Sequence, residues 1–125
     1  MNRTVVGIGS NIEPVSNIER ALTLLDTDHR CIKKSALTLT EPIGFRDQPD
    51  FINGAVLVET SMEVGEFRQY LKGIENRLGR VRTENKNGPR TIDLDVVIWN
   101  GSIVDDDYYT RDFLQKAVDE VSDGE

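Results

Sequence analysis

A chain of 125 residues with 38 % hydrophobic and 30 % charged side chains has the balance of one compact folded domain, too apolar for disorder and too polar for a membrane-spanning protein. Its net charge of −7 argues against a nucleic-acid partner, and no apolar run approaches the ~20 residues needed to cross a bilayer. That charge is unevenly spread: residues 80–90 carry a balance of +3, from Arg80, Arg82, Lys86 and Arg90 against Glu84, so the remainder carries −10. A concentrated basic segment on an acidic protein suits a small polyanion.

The first residues lead straight into a strand pattern, Thr-Val-Val-Gly-Ile-Gly at 4–9, rather than into a signal peptide, and a turn signal, Gly-Ser-Asn, follows at 9–11. Ser16 and Glu19 have the spacing of a capping box. Ile18, Ala21, Leu22 and Leu25 then predict a helix over about 17–26. Residues 30–39 read as a second strand. Cys31 within it is the single cysteine, which excludes an internal disulfide and a cysteine zinc site and fits an inert thiol in a reducing cytoplasm. An irregular loop over 40–50 precedes a third strand, Phe51 to Glu59. Phe51, Asn53, Ala55, Leu57 and Glu59 fall on one face of it, with Ile52, Val56 and Val58 on the other.

Thr60 and Glu63 form a second capping box, and Phe67, Leu71, Ile74 and Leu78 make the apolar stripe of a second helix, closed by Gly79. Beyond the basic loop, Thr91 to Trp99 predicts a strand ending in the hairpin signal Asn100-Gly101. Tyr108 to Val121 predicts a short helix, while Asp105, Asp106 and Asp107 read as a solvated turn. The order strand, helix, strand, strand, helix, strand is that of an α+β, ferredoxin-like βαββαβ sandwich, an antiparallel sheet with both helices on one face.

Two pairs of residues carry chemistry. Asp93 and Asp95, two apart in an apolar strand, face the same side, leaving Leu94, Val96 and Ile98 for the core. Adjacent carboxylates repel, which either a divalent cation or a salt bridge to Arg82 or Arg90 relieves. Arg80 and Arg82 suit bidentate contacts to phosphate, or a solvated loop. Together the pairs suggest a metal–nucleotide site. Gly7 to Asn11 lacks the lysine and spacing of a Walker loop.

Gly-Pro-Arg-Thr-Ile-Asp-Leu-Asp at 88–95 resembles the signature of the hydroxymethyldihydropterin pyrophosphokinases. Gly-Arg-Val-Arg at 79–82, Asp-Gln-Pro-Asp-Phe-Ile-Asn at 47–53 and Gly-Ser-Asn at 9–11 are similar to other segments of that family, in the same order, across residues 4–104. The resemblance implies one domain over 1–125 that moves pyrophosphate from ATP to 6-hydroxymethyl-7,8-dihydropterin. It implies ATP as co-substrate and two magnesium ions held by Asp93 and Asp95. Arg80, Arg82, Arg90 and Arg111 would serve catalysis. Thr40, Ile43, Phe51, Asn53 and Phe113 would bind the pterin, and Lys72, Glu75, Arg82 and Val96 the nucleotide. The partners implied are these small molecules, with no nucleic acid and no membrane, and no oligomer is predicted.

Three departures accompany the resemblance. Glu41 replaces a proline usual in the family, and Asn87 replaces a tryptophan. The family's Pro-His stretch has no counterpart before Arg111 and Phe113, and the only histidine is His29. Residues 105–125 carry a balance of −6. The expectation is a C-terminally shortened member that binds magnesium–ATP weakly and turns over slowly. A pterin- or nucleotide-binding paralogue without useful catalysis, and an interaction module reusing the fold, are the readings from other classes.

Overall fold

The computed structural model describes residues 1–79 and 89–122. Ten elements follow in chain order: β1 (Asn2–Ser10), α1 (Pro14–Asp28), β2 (Arg30–Lys34), β3 (Thr38–Thr40), β4 (Phe51–Thr60), α2 (Val64–Arg77), β5 (Asp93–Trp99), β6 (Ser102–Ile103), α3 (Asp107–Thr110) and α4 (Asp112–Ser122). Strands pair in the order β2-β4-β1-β5-β6, with β3 also on β4, and every pairing is antiparallel. This is the expected βαββαβ sheet, with β2 and β3 as two halves of one edge and β6 as a hairpin extension. That hairpin turns at Asn100 and Gly101, with φ of 48° and 85°, the left-handed pair a tight two-residue turn requires.

The apolar stripe of α1 (Ile18, Ala21, Leu25) and that of α2 (Phe67, Leu71, Ile74) pack with Val6, Ile8, Val56, Val58, Leu94 and Val96 on one sheet face. A second cluster on the opposite face joins Val5, Ala55, Leu57 and Val97 to Val118 and Val121 of α4. The sheet is therefore covered on both sides, which explains why β4 is buried continuously from Gly54 to Val58 instead of alternating.

Several local expectations give way to longer-range interactions. Helix α1 begins at Pro14, whose fixed φ suits a first turn, so Ser16 lies inside the helix and caps nothing. Thr60 is still paired with Asn2 in the β-ladder, and its Oγ1 accepts from Met62 N at 3.0 Å instead of capping α2, which starts after Glu63 without a side-chain cap. The second strand divides at 35–37, where Ser35 Oγ accepts from Ala55 N at 2.8 Å. In β5 the register slips between its pairings with Val5 and Val6, and the bulge at Val97 reverses the alternation. Ile98 consequently packs with the α4 cluster and not, as expected, beside Leu94 and Val96. The C-terminal helix breaks at Arg111, which is extended with φ −123° and ψ 107°.

Candidate functional site

Register builds the site before side chains are considered. Gly9 of the central strand lies directly between Asn53 of β4 and Asp93 of β5, and Gly7 lies between Ala55 and Asp95. Asn53 of β4 and Asp93 and Asp95 of β5 thus emerge from the two strands that flank β1, across a floor of two β1 residues that have no side chain. The break at Arg111 returns the chain over this floor.

These elements enclose a cavity of about 260 Å³. One wall is Thr40, Ile43, Phe51 and Asn53, the expected pterin set. Asn53 Nδ2 donates to Thr40 Oγ1, joining β4 to β3. The opposite wall holds Arg90, Asp93 and Asp95, and Arg111 with Phe113 completes the enclosure. Arg90 Nη1 donates to Asp93 Oδ2 at 3.3 Å, and the same guanidinium lies 5.9 Å from the centre of the Phe51 ring. The salt bridge considered from spacing is therefore formed by Arg90.

Lys72, Glu75 and Val96 lie instead in an adjoining open groove of about 630 Å³, which shares Asp93 and Asp95 with the first cavity. Lys72 is exposed there, whereas Val96 is mainly a core residue at 6 % exposure. Glu75 is buried, and its Oε2 accepts from Leu94 N at 2.8 Å, so this carboxylate ties α2 to β5. Arg80 and Arg82 fall outside the described residues.

Four residues of the site escape the sequence reading of side-chain roles. Gly9 is its floor, signalled only by the two-residue spacing of Gly7 and Gly9 opposite the two aspartates. Glu41 lines the mouth of the cavity. Asp107 lines the cavity from the first turn of α3 with a half-exposed side chain whose Oδ2 lies 3.7 Å from Arg111 Nη2, and Asp105 lines the groove, so the solvated turn expected also borders the site. Nothing in a run of three aspartates marks which of them border the cavity or the groove. Among the described residues the cavity gathers Glu41, Asp93, Asp95 and Asp107 against Arg90 and Arg111, a local excess of negative charge.

The model of the 7,8-dihydro-6-hydroxymethylpterin-pyrophosphokinase family matches residues 5–123. The chain belongs to that family. Its relatives include the 2-amino-4-hydroxy-6-hydroxymethyldihydropteridine pyrophosphokinase of Bacillus subtilis, 37 % identical over 102 residues, covering 79 % of this chain and 60 % of that protein. The protein of the same name from Pseudomonas aeruginosa is 34 % identical, covering 84 % of this chain and 66 % of the relative. The folic acid synthesis protein fol1 of Schizosaccharomyces pombe is 35 % identical over 84 % of this chain and 15 % of its own length. The chain thus spans less than two thirds of the first two relatives. Family membership agrees with the fold reached from the strand order.

Outside the site, burial pushes the half-buried Cys31 thiol up to about 11, aided by the nearby Asp26, which makes it the inert thiol expected. No described helix is long and apolar enough to cross a membrane.

Proposed function

We propose that this chain, as a single domain, transfers pyrophosphate from ATP to 6-hydroxymethyl-7,8-dihydropterin and releases AMP. The observation that carries the reading is one cavity holding both chemistries. An aromatic and amide pocket of Phe51, Phe113, Thr40 and Asn53 opens onto the paired carboxylates Asp93 and Asp95. Asn53 offers a donor and an acceptor to the polar edge of a pterin, while the aromatic rings offer their faces. Lys72, Glu75 and Val96 border the groove in which the nucleotide would lie.

In the proposed reaction the pterin hydroxymethyl oxygen bonds to the β-phosphorus of ATP. The bond from that phosphorus to the oxygen of the α-phosphate breaks, AMP leaves with the electron pair, and the alcohol proton passes to solvent. Phe51 and Asn53 hold the alcohol in line, so position supplies much of the acceleration. Arg90 and Arg111, with Arg80 and Arg82 from the basic loop, offset charge on the transferred phosphates. Two carboxylates on one strand, open to a groove that admits phosphate oxygens, form the donor set magnesium favours. Asp93 and Asp95 would hold two such ions, which neutralise phosphate charge when bound. Partners are confined to these small molecules, and the setting is the cytoplasm.

A second reading, a weak or inactive pterin-binding paralogue, is favoured by one observation. Arg90 and Arg111 are each engaged by an aspartate, in a cavity that also carries Glu41. Turnover of the hydroxymethyl pterin with ATP and magnesium, followed as AMP, separates the two. Asp95→Ala should abolish AMP formation while leaving the thermal melt intact. Retained turnover in that variant refutes the metal assignment, and pterin binding without AMP from the wild type selects the paralogue.

A further inference from the structure

We propose that Asn11 is a positioning residue that clamps the two walls of the cavity together, and that the position requires a neutral amide. Asn11 follows the end of β1 and is 4 % exposed. Its Nδ2 donates to Gln48 Oε1 at 2.9 Å and to Pro49 O at 3.0 Å. Its Oδ1 accepts from Arg90 N at 2.8 Å, and its main-chain N–H donates to Arg90 O at 3.1 Å.

The partners lie 37, 38 and 79 residues away, on segments that do not pair with one another in the sheet. Pro49 stands two residues before Phe51, at the head of the aromatic wall. Arg90 stands three residues before Asp93, to which it is ion-paired, and its guanidinium reaches over the Phe51 ring. One buried carboxamide therefore fixes the loop on one side of the cavity relative to the charged wall on the other.

The chemistry of the partners dictates the amide. On the loop side Asn11 meets oxygen acceptors, and the carbonyl of Pro49 cannot become a donor. On the other side it must accept from Arg90 N–H. Aspartate keeps the acceptor and the shape but loses both donors and sets a charge against those oxygens. Serine is too short to span both sides.

The inference concerns the cavity of the proposed pyrophosphokinase, yet its first readout requires no ligand. In Asn11→Asp, amide hydrogen exchange should accelerate across residues 45–51 while the β1–β4 ladder over 54–58 stays protected. Pterin affinity at pH 7 should fall about tenfold or more, as expected for buried hydrogen bonds exchanged for a facing charge. Acidification should narrow that gap, because the introduced carboxyl regains one donor once it is protonated. Gln48→Leu, a change on a half-exposed loop residue, should give the same localised exchange at smaller size, and it serves if Asn11→Asp fails to fold. Unchanged exchange over 45–51, or acceleration spread evenly over the sheet, would overturn the clamp. So would a wild-type-to-variant affinity ratio independent of pH. Localised exchange in a protein whose wild type binds no pterin supports the clamp and counts against the pyrophosphokinase reading alone.

Discussion

A methyl group placed on Gly9 tests the proposed pterin pocket. The Cβ of Gly9→Ala would sit 2.6 Å from Asn53 Oδ1, closer than real contacts allow, and 3.7 Å from Asn53 Cγ. The main chain of Gly9 is not in the left-handed region, so alanine fits its backbone, and the strain falls on the Asn53 carboxamide. That group must turn away, breaking its bond to Thr40 Oγ1 and leaving the polar edge of a pterin unmatched. One or two misaligned hydrogen bonds at about 1–1.5 kcal/mol each give roughly a tenfold to hundredfold loss of pterin affinity. Folding stability should move far less. Alanine gains about 0.5–1 kcal/mol over glycine in a strand interior, which offsets much of the lost bond to Thr40. The three atoms nearest the new methyl belong to Asn53 and Ile52, so β5 with its aspartates is spared, and magnesium–ATP affinity should change less than about threefold, or ~0.7 kcal/mol. Calorimetric titration with 6-hydroxymethylpterin, separately with a non-hydrolysable ATP analogue, and a thermal melt supply the three numbers. An unchanged pterin dissociation constant refutes the assignment of Asn53. So does an equal further loss when Gly9→Ala is introduced into an Asn53→Ala background, where the methyl has nothing left to displace.

Two further outcomes follow from buried groups. Burial holds the His29 imidazole below its ordinary value of 6.5, outweighing the upward pull of Asp28, and its Nε2 is buried without a hydrogen-bond partner among the described residues. The unfolded chain thus takes up a proton that the folded state resists. Stability is full above pH 6.5 and declines as pH falls from there toward the lowered folded value. Melting temperatures of the wild type should therefore drop more steeply between pH 7 and 5 than those of His29→Gln, and parallel curves would contradict this. Glu75→Ala should cost about 1–3 kcal/mol in denaturant unfolding by orphaning the buried Leu94 N–H, whereas Glu75→Gln keeps an acceptor and should cost less. Equal losses in the two variants would show that the hydrogen bond to β5 is not what Glu75 contributes.

How much of the site was legible varied with the range of the interaction involved. Asp93 and Asp95 share a face because side chains alternate along any strand, and that holds wherever the strand is placed. The residues that the resemblance groups around a pterin, and Arg111 with them, converge on one cavity. That Asp107 borders the cavity was not legible, since which of three consecutive aspartates reaches it depends on how the chain turns there.

The same division runs through the fold. Periodicity and turn chemistry are local, and they sufficed for both amphipathic helices, the Asn100-Gly101 hairpin, the Gly79 terminator with its φ of 85°, and the two faces of β4. Other outcomes were decided by partners distant in sequence. The Thr60 cap was lost because Asn2 holds Thr60 in the ladder. Ile98 changed faces because β5 takes up one extra residue against β1. The second sheet face was closed by α4, which the sequence presents only as a short amphipathic segment. The hub at Asn11 joins segments whose separation in sequence conceals that they meet. A pattern along the chain can specify which way a side chain points from its own strand or helix, but the neighbour it then meets is set by strand order and packing.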